Sequence, residues 1–359
     1  MSISRRKFLK KSISATVAAV APPFLCGREI KAHWAKGTQV HPHIDHRRVV
    51  GIIDSRMTRD LQPVSSWSLQ EKIVVKELVW ENLDKLACAL TKLSNPEKAW
   101  LTIFLKPPRK SWAETVVAIK TNNIALQHTR SAVMSKICHV LVKICRINPE
   151  NIHIYDGIHG GSMAQNTPFA DLPAGVKIEN EWGGVTTLTK VPEPWRRSRG
   201  QAKCLKPLVD GYVDILINIA MCKGHSQTFG GFTMTMKNHF GTFDPAPGHR
   251  EGALDYLLAI NKTPEILGPM DQQTGRVVYP RQQLCLLDAL WASEKGPGGY
   301  PRSQPNFLAM GVFSPIFDYV LATRFRGEKM GWKPNMEATQ RFLTEFGYTE
   351  EMLLPLEIL

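Results

Sequence analysis

The sequence predicts an α/β protein, a largely parallel central sheet flanked by helices with a small inserted lobe or hairpin region. Three observations carry that expectation. Residues 115–156 read as strand, helix and strand; buried strands recur at 212–220 and 281–288; and polar residues gather at the ends of these strands rather than along them. Parallel neighbours need a long crossover, which a helix supplies.

The first strand is read at 49–54, and residues 68–93 follow with Ile73, Leu78, Leu83, Leu86 and Leu90 spaced as the buried face of a helix. The β-branched run 115–120 is a strand. In 129–145, Val133, Ile137, Val140, Leu141 and Ile144 share one helical face, and 151–156 is again apolar and strand-like. Downstream come a strand at 212–220, a helix at 228–240, strands at 281–288 and 307–312, and a helix at 315–326 with Pro315 near its start. Residues 168–200 hold turn residues and the strand-like run 185–191, the pattern of an inserted hairpin or small lobe.

Residues 1–35 read as an export signal. Arg5 and Arg6 precede Phe8 and Leu9, a weakly apolar run extends to Leu25, and no acidic residue occurs before Glu29. The arginine pair resembles a twin-arginine signal, which implies the twin-arginine translocase as a partner and the periplasm or the outer face of the inner membrane as the destination. Pro22 and Pro23 interrupt the run before it reaches a membrane-spanning length. Small residues at Ala19 and Ala21 stand before Pro22, a poor position for cleavage, so an uncleaved signal would act as a membrane tether. A polar linker is expected at 36–48, the α/β domain at 49–331 and a helical tail at 332–359.

Residues 1–35 hold seven Lys or Arg and one Glu, so the rest of the 359-residue chain keeps +7 of the +13 net charge. The local cluster Arg196, Arg197 and Arg199 comes with no nucleic-acid-binding motif, and a nucleic-acid partner is not expected. Seven cysteines include no Cys-x-x-Cys pair, which argues against a ferredoxin-type iron–sulfur cluster. His41, His43, Asp45 and His46 have metal-ligating chemistry but fall in the linker, and His159, His225, His239 and His249 are scattered.

Ligands of open α/β sheets collect beyond the C-terminal ends of the strands. Lys120 and Asn122 stand at one predicted end, Asp156 at the next, Lys223 and His225 after the third, and Asp288 at the fourth. Between them Gly230 and Gly231 would let backbone approach a ligand, and a helix would place Thr233 and Lys237 on one face, with Asn238 beside them. These residues favour a small anionic ligand or an anionic or metal cofactor. Lys223 and Lys237 would be electrostatic clamps, His225 an acid, base or ligand, and Asp156 and Asp288 bases or metal carboxylates. Lys120, Asn122, Lys223, Gly230, Gly231 and Asn238 would line the cofactor. A competing expectation is a non-catalytic binding or assembly factor at the membrane, holding a partner on a Trp-rich surface around Trp182 and Trp195.

The stretch Lys223 to Gly241, with Ile119-Lys120 upstream and Leu287-Asp288-Ala289-Leu290 and Gly296-Pro297-Gly298 downstream, resembles domain of unknown function family 362. That resemblance implies the α/β fold and the site positions and supplies no reaction; Thr121 departs from the family, which more often has Pro there. The order His225, Gly231-Phe232-Thr233, Lys237 is also similar to nickel-pincer lactate racemases, although the span from His225 to Lys237 is longer. That likeness implies a Lys-bound or His-ligated cofactor.

Overall fold

A computed structural model describes residues 39–61, 66–123, 127–157, 169–179, 182, 186–195, 200–250, 252–298 and 301–359. Chain contacts separate 1–31 from 32–359, and everything described lies in the second unit. Residues 1–35, read as an export signal, His159 and the cluster Arg196, Arg197 and Arg199 fall outside the described residues.

The central sheet has eight strands in the order β11-β1-β10-β9-β7-β2-β3-β4. They are β1 (Val50–Ile53), β2 (Val117–Lys120), β3 (Ile152–Tyr155), β4 (Lys177–Glu179), β7 (Ile215–Gly224), β9 (Gln282–Ala292), β10 (Phe307–Gly311) and β11 (Glu357–Ile358). Neighbours from β9 to β4 are parallel, β10 runs against both β9 and β1, and β11 is parallel to β1. Seven of the eight therefore point one way. The two-residue β8 (Phe232–Thr233) folds back on the end of β7. A separate antiparallel hairpin joins β5 (Thr186–Lys190) to β6 (Gln201–Leu205), and β5 coincides with the strand-like run read at 185–191.

The sheet is buried on both sides because its strands alternate between two apolar layers. Ile215, Ile217 and Ile219 of β7 pack with helices α2 (Lys76–Thr91), α3 (Pro96–Ile103) and α4 (Ser131–His139). Leu216, Ala220 and Cys222 pack with α7 (Ala253–Ile260), α8 (Pro264–Leu267), α9 (Ser314–Val320) and α10 (Met336–Thr344). Two short segments complete the set, α5 (Lys206–Val209) and α6 (Thr235–Asn238).

Three elements depart from the sequence reading. The helix expected over 68–93 is two, α1 (Trp67–Ile73) and α2, because Val74 is extended and bridges Thr58 while Val75 N–H donates to the Met57 carbonyl. Helix α3 went unread, although Asn95 capping the Lys98 N–H, Pro96 at the first turn and Glu97 beside it are start signals. The helix expected over 228–240 is broken. Gly230 and Gly231 both have φ of 87°, a left-handed turn that reverses the chain into β8. Thr233 therefore pairs with Lys223 across a ladder instead of sharing a helical face with Lys237.

The two tryptophans expected to form a Trp-rich surface are buried. Trp182 is 7 % exposed and stacks on His153, and Trp195 is 3 % exposed and packs edge-on against Tyr256. His41 and His46 tie the start of the described chain to the body, His41 Nε2 bonding the Ile103 carbonyl at 2.9 Å and His46 Nε2 the Tyr348 hydroxyl at 2.7 Å.

Candidate functional site

Because β9, β7, β2 and β3 are parallel, their C-terminal ends share one rim. Lys120 is the last residue of β2, Asp156 follows β3, and Lys223 is the second-to-last residue of β7. Lys120 Nζ donates to Asp156 Oδ1 at 2.7 Å, to Asn238 Oδ1 at 3.0 Å and to the Thr121 carbonyl. Asn122 Nδ2 donates to the same Asn238 oxygen at 3.0 Å, and Asn122 Oδ1 accepts from Lys223 Nζ at 2.5 Å. Lys223 Nζ also donates to the Gln127 carbonyl at 2.6 Å. Five residues singled out in the sequence, Lys120, Asn122, Asp156, Lys223 and Asn238, thus form one buried polar network.

The network has exacting packing. A Cβ on Gly241 would stand 2.0 Å from the Asp156 carbonyl oxygen and 2.7 Å from Lys120 Cε, which is why glycine follows the α6 turn here. Burial pulls the Lys120 ammonium down from its ordinary value, opposed by the Asp156 carboxylate, and pulls Lys223 down to about 7.

Sequence reasoning missed the layer beneath. Asn218 Nδ2 donates to the Thr235 carbonyl at 2.8 Å, and Asn238 Nδ2 donates to Asn218 Oδ1 at 2.8 Å. His239 Nε2 lies 2.8 Å from Gln282 Oε1 and Nδ1 lies 3.0 Å from Thr242 Oγ1. Burial lowers His239 to about 3, so it supports the network as a neutral ring. An asparagine inside the apolar run Ile215 to Ala220 was the available signal, since a buried amide must be hydrogen-bonded. Asp318 of α9 was missed too: Oδ1 accepts from the Thr235 N–H at 2.9 Å and the Thr235 hydroxyl at 2.5 Å, and Oδ2 accepts from the Met236 N–H at 2.7 Å. It fixes the start of α6, and so aims the two residues that follow, Lys237 and Asn238.

Asn238 enters the network, whereas Lys237 enters a different group. Lys237 is 8 % exposed, with Nζ 3.4 Å from the ring centroid of Phe240 and 4.6 Å from that of Phe229. Among the described residues no carboxylate or hydrogen-bond acceptor meets it. Burial brings Lys237 down to about 7; the ring faces favour the charged form and offset part of that. His225 packs edge-on to Phe229 at 5.1 Å between centroids and lies 6.5 Å from His249, whose ring is 5.6 Å from that of Phe240. Burial first, then the neighbouring Lys237 and His249, lower His225 to about 4.

Three expected site residues take other roles. Asp288 lies four residues before the end of β9 and faces the opposite layer, where it accepts from the Arg130 N–H at 2.7 Å and the Leu290 N–H at 3.2 Å. Burial raises its carboxyl above the ordinary range. Gly230 and Gly231 form the β7–β8 turn, and a Cβ on Gly230 would meet Thr339 Oγ1 at 2.7 Å, so α10 rather than a ligand approaches there. Among the described residues no three His, Cys, Asp or Glu side chains are placed to hold a metal ion.

A family model described as domain of unknown function (DUF362) matches residues 117–322, more than half of the chain, from β2 to just past α9. No curated protein matches, and no solved structure matches.

Proposed function

We propose that this chain, which belongs to the DUF362 family, binds a small anion beside Lys237 at the C-terminal rim of its parallel strands and acts on it as an enzyme or cofactor-handling protein. One observation carries the reading: Lys237 is a buried amine beside His225, with no anionic partner among the described residues. A buried cation without a counter-charge is costly, and an arriving carboxylate or phosphate supplies one. The Lys120–Asp156–Asn238 network holds the turn that aims it.

The reading makes a thermodynamic statement. An anion beside Lys237 raises its affinity for a proton, so binding above pH 7 takes up protons and weakens as pH rises. Titration of the wild-type protein with oxalate, in buffers of different ionisation enthalpy, is expected to show proton uptake, and Lys237→Gln to weaken binding by about ten-fold or more. If neither oxalate, other small carboxylates nor phosphate binds, and native mass spectrometry finds no retained small molecule, the reading fails.

We also propose export by the twin-arginine route, supported by Arg5, Arg6 and the short apolar run behind them. Lys at both positions is expected to leave the protein in the cytoplasmic fraction; unchanged recovery from the periplasm or membrane face would remove this part.

A further inference from the structure

Three lysines lie buried near the rim, and their hydrogen bonds separate them. Lys120 Nζ donates to Asp156, Asn238 and the Thr121 carbonyl, which uses all three of its protons. Lys223 Nζ is held by Asn122 and the Gln127 carbonyl. An ammonium whose protons are committed this way has no lone pair to offer. Lys237 rests on the faces of Phe229 and Phe240 instead, so its nitrogen is the one these contacts leave open to act as a nucleophile.

His225, beside it, and His249, 6.5 Å from His225 between ring centroids, are set in opposite tautomers. His225 Nδ1 accepts the Ser226 N–H at 2.8 Å, which in a neutral ring puts the proton on Nε2. His249 Nδ1 lies 2.8 Å from the Pro245 carbonyl oxygen, an acceptor only, which in a neutral ring puts the proton on Nδ1 and the lone pair on Nε2. One ring offers a donor and the other an acceptor, and both adjoin aromatic rings that touch Lys237.

Resting on the anion site proposed above, we infer that Lys237 captures a carbonyl-bearing carboxylate, an aldehyde acid or 2-oxo acid, as a covalent imine, with His225 serving the carbonyl oxygen and His249 carrying the proton. The Lys237 amine attacks the carbonyl carbon, a C–N bond forms, and the carbonyl π pair moves to oxygen, which accepts a hydrogen bond from His225 Nε2–H. His249 Nε2 takes one proton from the new ammonium and passes it to the alkoxide, giving a neutral carbinolamine. The nitrogen lone pair then expels hydroxide, and the remaining N–H proton reaches it through His249. The products are the imine and one water; no oxidant or reductant takes part.

The experiment is reductive trapping of the full-length protein with glyoxylate and borohydride near pH 7, followed by peptide mapping. The inference expects one carboxymethyl group on Lys237, formed about 100-fold faster than on an ordinary exposed lysine amine, which is almost wholly protonated at that pH, while hydrogen bonds hold Lys120 and Lys223 back. It expects His225→Gln to slow trapping while oxalate still binds, and Lys237→Arg to abolish the fast adduct. Label spread evenly over surface lysines, with oxalate binding and proton uptake intact, overturns the imine and leaves the anion site standing. Absence of both fast labelling and anion binding overturns the two together.

Discussion

Replacing Asp318 by Ala is expected to destabilise the protein by about 3 kcal/mol or more, because two backbone N–H groups and one hydroxyl at the start of α6 lose the carboxylate that accepts from them in a dry interior. Each buried donor left unmet costs about 1–3 kcal/mol, offset in part because the carboxylate itself was expensive to bury. For a chain of this size the melting temperature should fall by roughly 4 °C, read by calorimetry. Asp318→Asn keeps one acceptor for Thr235 but turns N–H groups toward Met236, so an intermediate loss is expected.

The carboxyl carries a pH signature as well. Burial raises Asp318 from an ordinary 3.8 to about 7 despite the three donors that favour its charged form. The folded protein therefore holds a proton across that window that the unfolded chain releases. Stability from this group is present at the acid end and lost as pH rises toward about 7, the sign for a raised acid. His225 works in the opposite sense, since the unfolded chain binds its proton first as pH falls below 6.5. The difference between wild type and Asp318→Asn isolates the carboxyl; identical pH profiles would show that Asp318 does not titrate there.

Arg130→Met is expected to cost about 3–5 kcal/mol, the penalty for leaving carboxylates buried after their cation is removed. Arg130 is wholly buried, with its guanidinium over the rings of Trp67 and Trp291 and its Nε 3.7 Å from Glu71. It also donates to Gln70 and to the His128 carbonyl. Methionine fills similar space, so the loss reports electrostatics and hydrogen bonding more than a cavity. Residues 127–130 lead into α4, and the same loop supplies the Gln127 carbonyl that holds Lys223. Oxalate affinity in the folded fraction should change less than stability, because Lys237 hangs from α6. A variant as stable as wild type in urea unfolding would refute the assignment.

The sheet was readable because its strands are buried on both faces and so appear as apolar runs: β2, β3, β7, β9 and β10 all fall within or overlap runs visible in the sequence. β4 and β11 were not readable, since their residues are half-exposed or exposed and only three and two residues long. Partial exposure at an edge removes the periodicity on which such readings rest. The polar network was legible at strand ends, where Lys120, Asp156 and Lys223 interrupt apolar sequence. Asp288 was misplaced because β9 is 11 residues long and runs past it, so a residue read as an end lies inside the strand. Asp318 acts on Thr235 and Met236, a contact between segments far apart in sequence that no local pattern encodes.

Strand order sets a timetable for synthesis. The βαβ unit of β2 and β3 is adjacent in sequence and can pair while translation continues, but Val50 of β1 meets Met310 of β10. A contact spanning most of the polypeptide closes slowly. The strand translated first therefore waits longest for its partner and presents bare peptide groups meanwhile, a template for unwanted association until β10 emerges from the ribosome.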